Sequence, residues 1–147
     1  RANSLDQMPG SSVPVVVDRY CNSPLAAGQF LDLGQINIAA KSGRCGSLAA
    51  GEMVQAAAAR GGHAVIGLFG ESGIGALAQL RLAARADSAA IWGIEASFHE
   101  ALTESLLRFD LDLEDGRYRA PPTLHLASAI DWERVETLSS STLVLGK

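Results

Sequence analysis

Aromatic side chains are scarce in this sequence, at 5% of 147 residues, so the interior has to be filled by aliphatic and small groups rather than by rings. Cysteine occurs only at Cys21 and Cys45, too few for a disulfide framework, although a single bridge would be possible. No apolar run reaches the roughly 18 residues of a spanning helix. The best, Ala64 to Leu80, contains Glu71 and is followed at once by Arg81, so no membrane partner is expected. Positive charge is short as well. Twelve basic residues against sixteen acidic ones leave a net charge of -4, the wrong sign for tracking phosphate backbones, and nucleic acid is not an expected partner. The basic, apolar and small-residue order of a secretory signal is missing at the start, which makes the cytoplasm the expected compartment.

What the chain does have is alanine, 24 residues, and glycine, 15 residues. Its length suits one domain. Polar residues 1–12, with Pro9-Gly10-Ser11-Ser12, read as a flexible lead-in, and residues 13–147 as a single α/β domain. The run Val13-Pro14-Val15-Val16-Val17 is β-branched without alternation, the pattern of a buried parallel strand, and Gln35-Ile36-Asn37-Ile38 is a weaker second strand. Ser47 is expected to cap a helix running to about Arg60, ended by Gly61-Gly62. A strand at Ala64–Phe69, a helix at about Ile74–Arg85 and a strand at Ala89–Ile94 follow. Ala-Val-Ile-Gly-Leu and Ala-Ile-Trp-Gly-Ile echo each other 26 residues apart, as consecutive strand-helix units would.

Ser97-Phe98-His99-Glu100 has the form of a capping box, opening a helix with Glu104 and Arg108 paired one turn apart. From Phe109 the period becomes two. Asp115-Gly116 then offers a type I′ turn that sets Glu114 opposite Arg117 and Asp112 opposite Arg119. Further strands are expected at Thr123–Leu126 and Thr142–Leu145, with a short helix through Trp132-Glu133-Arg134-Val135. The fold class is therefore α/β: a three-layer domain with a mainly parallel sheet and an antiparallel hairpin toward the C-terminus.

The turn Gly70-Glu71-Ser72-Gly73-Ile74-Gly75 is the most suggestive segment, since strand, Gly-rich turn and helix start are where α/β proteins present ligands or nucleophiles. As a phosphate-binding loop it lacks the lysine and hydroxyl, with Ala76 and Leu77 in their places. As a nucleophile elbow it has Gly70-Glu71-Ser72 but Ile74 where the second glycine belongs. The bland alternative is that Ser72 caps a helix. Cys45, beside Arg44 and before a helix start, is the second candidate nucleophile, through a lowered thiol pKa. Arg81 stands out in an alanine and leucine helix and could reach a ligand or simply face solvent. His63 and His99 show no zinc-ligand spacing, so neither metal nor other cofactor is expected.

Several segments resemble the effector-binding core of LacI-type regulators and type I periplasmic sugar-binding proteins: Val13 to Arg19, Gly62-His63-Ala64-Val65-Ile66-Gly67, Ala78-Gln79-Leu80-Arg81-Leu82, and Pro122-Thr123 with Ala127 to Asp131. That resemblance implies a non-enzymatic binding module for a sugar-like or effector-like small molecule, with Gly70, Glu71, Ser72, Arg81, Asp18 and Asp131 around the ligand. A second resemblance, to β-ketoacyl synthases of the thiolase-like group, rests on Val15-Val16-Val17 with Ser23-Pro24-Leu25 and on Gly75 to Ala96. It implies acyl transfer, and with the α/β-hydrolase pattern it makes Ser72 or Cys45 the catalytic group. A structural or assembly subunit, homo- or hetero-oligomeric, is the third reading.

Overall fold

The computed structural model describes residues 13–34, 36–119, 121 and 125–141. Strand β1 (Val15–Val17) leads to helix α1 (Pro24–Leu31), strand β2 (Ile36–Ala40), the single turn α2 (Ser42–Cys45) and helix α3 (Ser47–Ala59). Strand β3 (Ala64–Ile66), helix α4 (Gly73–Arg85) and strand β4 (Ile91–Ile94) follow. A two-stranded ribbon, β5 (Leu113–Glu114) and β6 (Arg117–Tyr118), and helices α5 (Leu126–Ala129) and α6 (Trp132–Leu138) end the described chain.

The first four strands form one parallel sheet in the order β1-β2-β3-β4, each with its sequence neighbours beside it. Val15 to Val17 register with Ile36 to Ile38, and Ile38 to Ala40 with Ala64 to Ile66. Between β3 and β4 the register slips by one residue after Ala64. This is the α/β class with parallel sheet and C-terminal hairpin that the patterning indicates. The strands that echo each other 26 residues apart are the neighbours β3 and β4, and among the described residues β1 and β4 each have a partner on one side only.

Side-chain alternation sorts the two faces. Val17, Ile38, Ala40, Ala64 and Ile66 belong to the main core with Ala27, Leu31, Ala50, Met53, Val54 and Ala57 from α1 and α3. The alanines let the helices come close to the sheet, which accounts for much of the alanine excess. Arg60 reaches back from the end of α3 to Asp32 after α1, at 2.6 Å. On the opposite face Val16 and Trp92 are 38% and 44% exposed, while Asn37 is buried. Asn37 ties three strands together: its Nδ2 donates to the Val15 carbonyl and its Oδ1 accepts from the His63 backbone N–H, at 3.2 and 3.0 Å. The His63 ring stacks on Trp92 with centroids 4.5 Å apart. A second core, Ala76, Leu77, Leu80, Ala96, Leu107, Leu111 and Ala129, joins α4 to the C-terminal segment.

Several local expectations are corrected. Residues 97–101 form a 3-10 turn, without a side-chain cap, rather than the start of an α-helix. Arg108 donates to the Ile130 carbonyl instead of pairing with Glu104, because Leu107 and Ile130 bridge across that segment. Ser47 is the first residue of α3, with Gly46 in the capping position. Leu126, expected to end a strand, begins helix α5 instead; residues 123–124 of that strand, 142–145, and the lead-in at 1–12 lie outside the described residues. Helix α1 is an addition. Ser23 Oγ accepts from the Ala26 N–H at 3.2 Å and Pro24 follows in the first position, so the Ser-Pro-Leu segment is an ordinary helix start. The hairpin matches expectation: Asp115 and Gly116 have φ of 50° and 71°, and Glu114 registers with Arg117. The Arg119 side chain, however, pairs diagonally with Glu114, while its backbone N–H meets the Asp112 carbonyl.

Candidate functional site

In a parallel sheet the carboxyl ends of all strands lie along one edge, and loops leaving that edge collect side chains from distant parts of the sequence. Here Asp18 follows β1, Lys41 follows β2, Gly67 to Glu71 follow β3, and Glu95 follows β4. Lys41 Nζ donates to Asp18 Oδ2 at 2.8 Å. Arg44 brackets the same residue, donating to Asp18 Oδ1 at 3.1 Å and to its carbonyl at 2.8 Å. The two cations are the more deeply set partners, with side chains 11% and 18% exposed against 50% for the carboxylate. Burial pushes the Asp18 carboxyl up, but hydrogen bonds and charge from Lys41, then Arg44, outweigh it and hold the group below its ordinary value.

Two glycines make room for this cluster. A methyl at Gly67 would fall 2.7 Å from Lys41 Cε and 2.9 Å from its Cγ, and one at Gly43 would fall 2.6 Å from Glu71 Oε1. The Arg44 guanidinium lies 5.4 Å from the centre of the Phe69 ring. Glu71 Oε2 accepts the Phe69 N–H at 2.6 Å, whereas Oε1 is buried without a hydrogen-bond partner. Glu95 Oε2 accepts the Leu68 N–H at 3.1 Å. Beneath the edge, fully buried Gln79 of α4 donates from Nε2 to the Gly67 carbonyl at 2.9 Å, pinning the end of β3.

Of the residues picked from sequence, the rim brings together Asp18, Gly70, Glu71 and Ser72. Ser72 occupies the N-cap position of α4 but its hydroxyl makes no cap bond. Arg81 is elsewhere: nine residues along α4 from Ser72, about 13 Å by helical rise, it lines a cleft with Ser47, Arg85 and Leu126. Asp131 caps α6, accepting the Arg134 N–H at 3.2 Å, and its backbone N–H meets the Leu106 carbonyl. Sequence reading missed Lys41, Arg44, Gln79 and Glu95. For Lys41 and Glu95 the available signal was positional, since a charged residue directly follows β1, β2 and β4; nothing comparable marks Arg44 or Gln79.

Cys45 lies against the core, its Sγ 3.3 Å from the Lys41 carbonyl and 3.8 Å from Met53 Sδ. Burial raises its thiol pKa, outweighing Arg44, the reverse of the activation expected from sequence. Cys21 is buried too, and burial pushes its thiol up to about 11. Native protein at pH 7.5 should therefore label slowly with iodoacetamide at both cysteines and fully once unfolded, counted by mass spectrometry. Fast native labelling at Cys21 would contradict its burial. His63 and His99 bond to Asn37 and to the Ala96 carbonyl.

A sheet of consecutive parallel strands with polar side chains at the carboxyl edge defines the class: an α/β protein of the strand-helix repeat type. Superposition on solved structures sharpens this. The chain is similar to the muconate lactonizing enzyme of Klebsiella pneumoniae, with TM-score 0.75 and 19% identity over 88% of this chain and 36% of that one. It is similar to the N-succinyl Arg/Lys racemase of Bacillus cereus, with TM-score 0.69, 17% identity, and 90% and 35% covered. It also resembles the dipeptide epimerase of Methylococcus capsulatus, solved with Mg and the dipeptide L-Arg-D-Lys, with TM-score 0.67, 22% identity, and 80% and 34% covered. The chain spans about a third of the length of the enzymes it matches. No family model and no curated protein sequence matches it.

These likenesses establish the fold and overturn both earlier resemblances. A doubly wound sheet reverses its strand order at a switch point, whereas this one runs β1 to β4 without reversal. The structures sharing it are lactonizing, racemising and epimerising enzymes, not effector-binding regulators or thiolase-like synthases. The non-enzymatic binding module is thereby corrected, and acyl transfer at Ser72 or Cys45 and an assembly subunit are not retained. Among the described residues, no helix is long and apolar enough to cross a membrane.

The described rim does not fit a divalent ion like the one accompanying the Methylococcus enzyme. Both Asp18 oxygens accept from cations, Glu71 and Glu95 each spend an oxygen on a backbone N–H, and among the described residues no three His, Cys, Asp or Glu side chains are grouped to hold a metal.

Proposed function

We propose that this chain is the strand-helix portion of an enzyme that moves a proton at the carbon beside a carboxylate, with the carboxyl rim of β1 to β4 as its site. Muconate, N-succinyl amino acids and dipeptides, named with the structurally similar enzymes, all bear carboxylates. Proton removal beside a carboxylate leaves an enolate-like anion, which needs positive charge already in place. Lys41 spends one of its three ammonium hydrogens on Asp18, and Arg44 keeps donors beyond its two bonds to that residue. Glu71 is the carboxylate placed to accept the proton, with Gly70 and Ser72 forming the adjacent rim. Arg81 and Asp131 have no part in this reading.

The observation that carries the proposal is the unpartnered, buried Glu71 Oε1, in a rim with two cations, on a fold shared with racemising and epimerising enzymes. The remaining two thirds of such an enzyme would be available to cover the face bearing Val16 and Trp92. The test is exchange of the α-hydrogen of N-succinyl amino acids and dipeptides in D2O by the full polypeptide, followed by proton NMR. Exchange is expected, with a loss on the order of 100-fold or more in Glu71→Gln. No exchange across the panel overturns the proposal.

A further inference from the structure

We infer that the rim carries its positive charge as protein side chains, Lys41 and Arg44 holding the place beside Asp18 that a divalent cation would need. The inference rests on reading the rim as the functional site. Mg2+ and Mn2+ bind through several hard oxygen donors converging at about 2.0–2.2 Å, carboxylates above all. At Asp18 each carboxylate oxygen already accepts from a cation, Oδ2 from Lys41 at 2.8 Å and Oδ1 from Arg44 at 3.1 Å. An incoming dication would displace both or sit within a few ångströms of two like charges.

The cations are built into the fold rather than resting on it. The Lys41 stem runs over Gly67, where any side chain would collide with it, and the buried Gln79 amide fixes the Gly67 carbonyl from below. The Arg44 guanidinium is clamped between the Asp18 backbone and the Phe69 ring, with donors on one side and an aromatic face on the other. Asp18 is the more exposed member, so the carboxylate reaches in to the cations and orients them. Of the other rim carboxylates, Glu95 spends Oε2 on the Leu68 N–H and Glu71 spends Oε2 on the Phe69 N–H, which leaves one oxygen of each. Those oxygens sit on separate loops, and no three His, Cys, Asp or Glu among the described residues are grouped to hold a metal. Positive charge that never dissociates makes the rim independent of metal supply.

The experiment measures cation binding directly. Mn2+ is titrated into the full chain and followed by its free-ion EPR signal, and thermal unfolding is compared in EDTA and in about 10 mM Mg2+. The expected result is no saturable Mn2+ uptake at the rim and a Tm that agrees within about 1 °C between the two solutions. Stoichiometric Mn2+ uptake, or a Mg2+-induced rise of about 4 °C or more, abolished by Asp18→Asn, overturns the inference. Uptake that survives Asp18→Asn, Glu71→Gln and Glu95→Gln alike lies outside the rim and agrees with it, whereas uptake lost in either glutamate variant also overturns it. If Asp18→Asn does not fold, Glu71→Gln and Glu95→Gln report the same loss from the other two carboxylates. Failure of the α-hydrogen exchange assay would leave these readouts unchanged, so the two ideas fall separately.

Discussion

Gln79→Glu is expected to destabilise the protein by about 3–5 kcal/mol, because it places an unpaired carboxylate in a site with no access to water. Gln79 is 0% exposed, its Nε2 donates to the Gly67 carbonyl, and its Oε1 already lacks a partner. Glutamate would remove the donor and set a negative charge against that carbonyl. Gln79→Leu separates the two effects. It also orphans the Gly67 carbonyl but brings no charge, so its cost should be nearer 1–3 kcal/mol. Urea midpoints of the three proteins, compared at pH 8 and pH 5, would show it. The glutamate variant should recover part of its loss at pH 5, since protonation removes the buried charge, whereas the leucine variant should not. Equal costs for the two variants would mean that water reaches Gln79.

Leu77→Ala is expected to cost a similar amount, about 2–5 kcal/mol. Leu77 is fully buried where α4 meets the C-terminal segment, and its cluster contains Ala76, Ala96 and Ala129 besides Leu80, Leu107 and Leu111. Small neighbours have no long side chains to swing into the space left behind, which favours the upper part of that range. Leu82, half-buried at the edge of the other cluster, is the control, and its truncation should cost clearly less. Limited proteolysis adds a local reading, because loosening this junction should expose residues 105–138 to cleavage before the parallel sheet.

The contrast between Asp115-Gly116 and Lys41-Arg44 shows which parts of the structure can be read from sequence. A two-residue turn is decided by the φ preferences of its own residues, and Asp115 and Gly116 adopt the positive angles their identities favour. The same locality made β3, α4 and β4 readable. Where non-local packing decides, pattern misled. Ser97 and Glu100 have the spacing of a capping box, yet the chain turns away after Ala101 toward the strand-like bridge of Leu107 with Ile130. The cation cluster joins positions 23 and 26 residues apart and exists only because β1 and β2 lie side by side, so Lys41 was marked by nothing but its place after β2 and Arg44 by no local signal. Arg81 is the opposite case, conspicuous in composition but carried by the helix to another surface. Glu71 was picked for its glycine-rich turn, and its geometry adds what the turn could not supply, a carboxylate with one oxygen spent and one unspent.

Among the described residues the two outer strands, β1 and β4, each leave one row of backbone donors and acceptors without a neighbour in the sheet. In β1 that row runs along three successive valines, the composition most prone to recruiting a foreign strand and seeding aggregation. The flanking residues act as gatekeepers: Pro14 has no N–H to continue a ladder, and Asp18 with Arg19 puts charge at the other end. Asp18 thus guards solubility as well as orienting Lys41 and Arg44, and a substitution there would be felt during folding and expression before it was felt in chemistry.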